Sequence, residues 1–381
     1  LVLDLAVSLI SSLKFQTASM KKKNIKKASS WGSSLRWLPW DKESQVSKSQ
    51  KLISSTIHEW YDAKHRVPSD AETELINSLN KSHCPYCSSG SVIKNGFYKN
   101  GIQRYQCKAC GKKFSPLTNT IFEGKKIPIS EWIKYLIHLF EFHSIKTSAR
   151  DNRNSESTGK YWLTKVFAVL KDIQKNVMLE GTIYLDETYY PVIKRKTLKK
   201  DGKKLRGISR NKIGVGVAFD ENGNFLLIVE YTSKPSDTST WTAFGSHIKE
   251  KSHLIHDGER SHGILIWKLK LTDEVYSTEE TKKLDDKENP LDPINDIHAL
   301  SKRFMKAHGG YNRDNLQDWM NLIWFILSKP ENRYEKIDKF IKLAINSPAR
   351  VKYRDMMSKN PINSKFFMSS LQMRIFLLKK V

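Results

Sequence analysis

No stretch of this 381-residue chain runs to about eighteen uncharged apolar residues, the length a membrane-crossing helix needs, so no span is expected. The apolar opening LVLDLAVSLISSL is short, carries Asp4 and lacks a basic leader, which argues against a secretory signal. Residues 1–19 precede Met20 and are read as an extension to which no function is assigned. Acid is also scarce. Against 40 Asp and Glu stand 65 Lys and Arg, a net charge of +25, and a surplus of that size points to a polyanionic partner, DNA or RNA ahead of an anionic membrane. Residues 81–180, with 17 basic and 7 acidic side chains, carry the surplus at its highest density. The apolar share of 39% is that of an ordinary soluble chain, and the length suffices for two or three domains.

Cysteine is the scarcest chemistry of all. The four present lie together as Cys84-x2-Cys87 and Cys107-x2-Cys110, nineteen residues apart. That is the spacing of a two-knuckle zinc site, structural in role because four thiolates leave no open position. A pair of disulfides or an iron site of rubredoxin type are the competing readings. Between the knuckles the sequence predicts a hairpin with Asn-Gly turn signals at 95–96 and 100–101. Arg104, Tyr105, Lys108, Lys112, Lys113 and Phe114 would give it a basic, aromatic surface suited to phosphate.

From Pro128 to Phe142, Trp132, Tyr135, Leu136, Leu139 and Phe140 recur at helical spacing, with Ser130 as the expected cap. The next thirty or so residues read as a short helix, a polar turn around Asn152–Ser155 and a second helix bearing Trp162, Val166 and Val169. That outline fits a helix-turn-helix, placing Ser157, Thr158, Lys160 and Lys165 on or near a recognition helix.

The stretch GTIYLDETYYPV, residues 181–192, places two acids in a β-rich run. Period-2 geometry puts Asp186 on the face of Tyr184 and Thr188 and Glu187 on the opposite one with Leu185, so Glu187 is read as supporting structure. There follows a basic loop, 191–212, in which ten of twenty-two residues are Lys or Arg. Two apolar runs joined at Asn222-Gly223 continue the strand as a hairpin, and after a helix a fourth strand ends at Asp257. Asp186 and Asp257 on neighbouring strands would repel each other unless a cation lies between them, so a divalent ion with oxygen ligands, magnesium foremost, is expected. The helix DPINDIHALSKRFMKAHGGY would add a third ligand: Pro293 fits its first turn, Ile297, Leu300 and Phe304 its buried stripe, and Asn295, His298 and Lys302 fall on another face.

Here the residues resemble a known family. LDETYY, HDGERSH, INDIH with SKRF seven residues on, and the downstream HGGYNRDNLQDWMNLIWFI are similar in order and spacing to DDE-type transposases of bacterial insertion sequences. The group resembled carries an N-terminal zinc ribbon and an ISXO-two-like, ribonuclease H-like catalytic domain. The likeness covers about residues 83–330. It implies an α/β fold with a ribonuclease H-like mixed sheet and flanking helices, behind a small zinc ribbon and a helix-turn-helix. The expected organisation is a basic, partly helical or disordered extension over 1–80, a ribbon over 81–123, a helical DNA-binding segment over 124–178, a catalytic domain over 179–330 and a basic helical tail over 331–381.

The resemblance implies metal-assisted cleavage and strand transfer of double-stranded DNA, at the element's terminal repeats and in target DNA, by a homo-oligomer in the bacterial cytoplasm near the nucleoid. Its cofactors would be one structural zinc and two magnesium ions, with manganese able to replace them. Asp186, Asp257 and Asn295 would be the ligands, making an Asp-Asp-Asn site, and Lys302 would contact phosphate beside the scissile bond. His298 either positions water or DNA or has no role, Glu259 is a spare ligand, and Asp292 and Asp296 are near neighbours of the third position. Lys194, Arg195, Lys196, Lys199, Lys200, Lys203, Lys204, Arg206 and Arg210 would grip backbone phosphates. A non-catalytic zinc-ribbon DNA-binding protein is the alternative, and a nuclease without strand transfer is a third.

Overall fold

The computed structural model describes residues 40, 45–60, 69–125, 127–152, 154–276, 289, 291–354 and 356. The expectations for the first 39 residues and for the tail beyond 356 lie outside the described residues. The described residues divide into two compact units, one built from Leu170–Lys329 and the other from those up to Val169 together with those from Pro330 onward.

The cysteine-bearing unit begins with helices α1 (Lys48–Trp60) and α2 (Asp70–Asn77), which bury Leu52, Ile53, Ile57, Leu75 and Ile76. A three-stranded antiparallel sheet follows, β1 (Val92–Phe97), β2 (Gln103–Cys107) and β3 (Lys113–Phe114), in that order. Only one of the two Asn-Gly pairs turns the chain. Asn100-Gly101 closes the hairpin, with Gly101 N–H donating to Tyr98 O at 3.0 Å and Gly101 at φ +76°. Asn95-Gly96 instead lies inside β1, where the register shifts between Lys94 and Phe97 and Gly96 takes φ +65°, the left-handed conformation a bulge can demand.

Helix α3 (Ile129–Phe140) is buried almost all round. Ser130 does not cap it, since it lies inside the first turn and Pro128 occupies the cap position. The orphan N–H groups of Ile129 and Ser130 are met from another element, by Glu72 Oε2 at 2.9 and 3.3 Å. Glu72 is itself fully buried and pairs with Lys125. Helices α4 (Ile145–Asp151) and α5 (Glu156–Leu170) follow, joined by a short turn. Gly159 allows their close approach, because a Cβ there would meet the Ala149 Cβ at 3.0 Å. Trp162 of α5 stacks on Trp132 with ring centroids 4.5 Å apart.

The second unit is organised about one long strand, β4 (Thr182–Pro191). The basic segment after it forms a small hairpin, β5 (Lys199–Lys200) with β6 (Lys203–Lys204). Strand β7 (Lys212–Asp220) then runs antiparallel beside β4, and β8 (Phe225–Thr232) antiparallel beside β7. Asp220, fully buried, holds the turn between them by accepting N–H bonds from Asn222 and Asn224 at 3.0 and 2.8 Å. Helix α6 (Asp237–Phe244) leads to β9 (His253–His256), parallel to β4, and helix α7 (Gly263–Leu269) to β10 (Thr272–Val275), parallel to β9. The mixed sheet therefore has the order β10-β9-β4-β7-β8. Strand β10 escaped the sequence reading because its four residues, TDEV, are all exposed and show no alternation. On one face Ile183, Leu185, Ala218, Phe244, Leu254 and Leu265 form the core. Against the other lie α8 (Asp292–Ala307), packed on β4 and β7, and α9 (Leu316–Leu327), packed on β8. A further helix, α10 (Arg333–Asn346), belongs to the cysteine-bearing unit and buries Ile337, Phe340 and Ile341, so residues 333–346 of the expected helical tail are a packed element of that unit.

Candidate functional site

Strand alternation places Asp186 and Glu187 as the period predicts. Asp186 shares the α8 side with Tyr190, whose hydroxyl donates to Ser301 Oγ at 3.0 Å, while Glu187 points to the α6 and α7 side. The parallel pairing of Leu185 with His256 brings Asp257, just past the end of β9, level with Asp186 in the middle of β4. Ligand oxygens of Asp186, Glu187 and Asp257 lie within 4.8 Å of one another. Burial, and next the charge of Asp257, push the Asp186 carboxyl up to about 7 from 3.8. Three carboxylates so close need protons or a cation.

A polar cluster backs this trio, and sequence reasoning missed it. His262 Nε2 lies 2.9 Å from Glu187 Oε1, and its Nδ1 lies 3.0 Å from His256 Nδ1 and 4.0 Å from Asp257 Oδ1. His256 Nδ1 also receives the Gly258 N–H at 3.2 Å, so it acts as an acceptor and both nitrogens of His262 are left to donate. His262 is thus assigned as an imidazolium ion. Burial opposes its charge, but the hydrogen bond and charge of Glu187 outweigh burial and hold it above its ordinary value. Glu230 joins the cluster through a bulge: the register passes from Gly214–Tyr231 to Val215–Val229 and leaves it unpaired. Gly216 gives it room, since a Cβ there would overlap the Glu230 carboxylate. Burial, then the charge of Glu187, push Glu230 up to about 7. The signal for these residues was the pair of histidines flanking Asp257 in HDGERSH, which only the turn after β9 brings together.

On α8 the buried stripe is Ile294, His298, Leu300, Ser301, Phe304 and Met305, so His298 belongs to it and Ile297, expected there, is only half-buried. His298 Nδ1 stands 3.8 Å from Asp186 Oδ2. Burial, and then Lys302, push His298 down to about 4, which keeps the ring neutral. Asn295 is exposed one turn earlier on the same side of the helix, and Lys302 is exposed one turn later. Glu259 bends away into a local turn, its side chain accepting from Arg260 N at 3.0 Å.

In the cysteine-bearing unit, Sγ atoms of Cys84 and Cys110 are 3.7 Å apart and those of Cys87 and Cys107 3.6 Å. All four are free thiols, which removes the disulfide reading. Tetrahedral coordination with bonds of about 2.3 Å separates sulfurs by about 3.8 Å, so the arrangement fits one zinc ion. The Cys110 backbone N–H is the largest influence bringing the Cys107 thiol down to about 7, toward the ligating thiolate. The aromatic surface differs from expectation. Tyr105 and Phe114 stack on each other in the small core, and the exposed rings are Tyr86, Phe97 and Tyr98, with Lys112 over Tyr86 and Arg104 over Tyr98.

Of the four residues expected on a recognition helix, Ser157, Thr158 and Lys160 are partly exposed, and Lys160 pairs with Glu156 at 2.8 Å. Lys165 is buried instead, bonded to Ile121 O and lying over the Tyr161 ring at 4.6 Å. Its apolar neighbours decide this, and burial brings its amine down to about 8. In the basic segment, Lys194, Arg195, Lys196, Lys199, Lys200, Lys203, Lys204, Arg206 and Arg210 are all exposed, and Lys196 pairs with Asp314 at 2.6 Å. Among the described residues no helix is long and apolar enough to cross a membrane.

No protein-family model matches the chain. The chain is 25% identical over 258 residues to an uncharacterized protein in the transposable element ISH50 of Halobacterium salinarum, a match covering 64% of this chain and 85% of that protein. Among solved structures, the Mos1 strand transfer complex is similar at 13% identity, 57% coverage of this chain and 78% of that one, and a TM-score of 0.24. A pre-cleavage Mos1 transpososome gives 9%, 81%, 99% and 0.22 in the same order. TM-scores this low do not describe a shared fold, and the sequence likeness to a transposable-element protein is the firmer finding.

Proposed function

We propose that the chain is a DNA transposase: a polynucleotidyl transferase that binds the ends of its element, cleaves them and joins them to target DNA. One observation carries this reading, the convergence of Asp186, in the middle of β4, with Asp257, just past the end of the adjacent parallel strand β9, with α8 across from them. The strand order β10-β9-β4-β7-β8 supports a ribonuclease H-like domain, and the likeness to a transposable-element protein supports the biological setting.

The residues fit divalent cations. Asp186 and Asp257 offer hard oxygen ligands, and the resistance of Asp186 to ionisation is what a bound cation would relieve. Asn295, from the exposed side of α8, would add a neutral carbonyl oxygen, completing an Asp-Asp-Asn set for two magnesium or manganese ions. Bound there, such ions supply Lewis acidity for in-line phosphoryl transfer. His298, neutral and beside Asp186, orients that carboxylate and can accept a hydrogen bond from water or DNA. Lys302 meets a phosphate oxygen next to the scissile bond. The imidazolium of His262, pinned by Glu187, fixes Asp257 from behind. The exposed hairpin and its flanks, from Lys194 to Arg210, hold duplex DNA by its phosphates with release of counterions. The four-cysteine ribbon, holding a structural zinc, and the α4–α5 helix pair read the terminal repeats. Two ends must be held together for joining, so the working form on DNA is at least a dimer.

The test is cleavage and joining of labelled duplexes carrying the gene's own flanking ends, in magnesium. Asp186→Asn and Asp257→Asn should each lower both steps by about a thousandfold, the size of several kcal/mol of lost transition-state stabilisation. Tight, end-specific binding by the unaltered chain with no nicking would instead assign it as a non-catalytic DNA-binding protein, a reading to which the neutral, exposed Asn295 lends itself. Nicking without joining would assign a nuclease.

A further inference from the structure

We propose that His138, His143 and Asp151 form a further transition-metal site, with imidazole and carboxylate ligands, separate from the four cysteines and from the carboxylates of the sheet. The argument begins with how α3 ends. Phe142 takes φ +64°, its N–H donates to Leu139 O at 3.2 Å, and the His143 N–H donates to His138 O at 3.0 Å. These paired bonds make a Schellman motif, whose left-handed position ordinarily belongs to glycine. A phenylalanine there costs about 1–2 kcal/mol. The motif brings residues 138 and 143 together, and the contact it creates is ordinarily apolar. Here it joins two imidazoles.

Their Nδ1 atoms are 2.9 Å apart, and Asp151, the last residue of α4, places Oδ2 3.7 Å from His138 Nδ1. All three ligand atoms lie within 4.8 Å of one another. Metal–nitrogen bonds of about 2.1 Å set donors about 3.0 Å apart at right angles and about 3.4 Å apart in a tetrahedron, so the spacings suit one ion. Protons serve the cluster less well. Two neutral rings can share only one proton between these nitrogens, and the carboxylate then faces a nitrogen whose proton is already committed. A single cation meets all three.

The surroundings permit it. The Asp151 side chain is 47% exposed, which leaves a path for the ion and places for water. Arg333, whose charge acts on His138, is paired with Glu141 and also donates to Tyr334 Oη at 2.9 Å, so its charge is already met. Burial and the neighbouring His143 hold His138 below its ordinary value, in the neutral form that ligates. Imidazole with carboxylate favours zinc, cobalt or nickel over magnesium. Such an ion would tie the end of α3 to the end of α4 and fix the turn that precedes α5.

Zinc content measured on the full-length chain tests this. In an Asp186→Asn background, which removes the sheet's carboxylate site, chains loaded with zinc chloride and desalted should hold two zinc ions. Adding His143→Ala should leave one, and so should adding Asp151→Asn, an exposed isosteric change that leaves the backbone undisturbed. The ring nitrogens of His138 and His143 should shift together in NMR spectra of the Asp186→Asn chain as the second equivalent of zinc binds. Equal zinc content in all three proteins, or no shift of those rings, would overturn the site without touching the DNA reading.

Discussion

Asp186 is held where burial and the charge of Asp257 both resist its ionisation, and the consequence is measurable without DNA. Free in an unfolded chain the carboxyl titrates near 3.8, whereas folded it is pushed up to about 7. Between those values the folded chain retains a proton that the unfolded chain has released, so stability without a bound cation falls as pH rises through that window. A shift of about three units corresponds to at most about 4 kcal/mol. Urea midpoints in magnesium-free buffer should therefore decline between pH 4 and pH 7, where Asp186 is ionised only in the unfolded chain, and the Asp186→Asn chain should show a shallower decline. Added magnesium should restore most of the loss at pH 8. Glu187 makes a different point at the same scale. Alternation correctly placed it on the face away from Asp186, yet Asp257, standing at the end of the neighbouring strand, draws all three carboxylates into one cluster backed by His262. Alternation along one strand carries no information about what the next strand delivers.

Two elements invite direct tests. Helix α3 has no side-chain cap of its own and depends on Glu72, fifty-seven residues earlier than Ile129, to receive its first N–H groups. Glu72→Ala removes that acceptor and leaves Lys125 without its buried partner. A loss of about 3 kcal/mol in unfolding free energy is expected, against about 1 for an ordinary cap. The sequence offered Ser130 because a hydroxyl near an apolar run is the local signal for a cap; an acceptor supplied from another helix leaves no local signal. The basic segment after β4 is the opposite case: its exposure was legible from composition, while the loop expected there forms the β5–β6 hairpin with its four lysines exposed. Changing Lys199, Lys200, Lys203 and Lys204 to Gln should lower the salt dependence of DNA binding, with the slope of log affinity against log salt falling by up to about 3.6, at about 0.9 per phosphate contact. A slope unchanged by the four substitutions would remove the hairpin from the DNA interface.

At the scale of the whole molecule the chain comprises two units with separate cores. The cysteine-bearing unit places Cys84, Tyr105, Cys107 and Phe114 in a core too small to hold three short strands without further help. Removing zinc with a strong chelator should therefore collapse amide-exchange protection of β1, β2 and β3, while the amides of β4 and β7 in the sheet unit keep theirs. Loss of protection in both sets together would show that zinc supports more than the ribbon. Helix α10, which returns to the cysteine-bearing unit, falls in the segment expected to be a basic helical tail because the family resemblance ends at about residue 330; Ile337, Phe340 and Ile341 are buried in it.

The positive charge, the four-cysteine cluster and the β4–β7–β8 antiparallel order are legible in the chain alone, because they follow from composition, short spacings and period-2 alternation, all of which act over a few residues or between successive strands. The resemblance in order and spacing named Asp186 and Asp257 together, and the parallel pairing of β4 with β9 is what brings them close. Packing settled the rest. It buried Lys165 and His298, exposed Asn295, made Asn95-Gly96 a bulge, found α3 its cap in Glu72, drew Glu187 into the carboxylate cluster, and set His256, His262 and Glu230 behind it. The physical reason is common to all of these. Each depends on which distant group fills or faces a given position, and burial, strand neighbours and remote hydrogen-bond partners are properties of the packed chain.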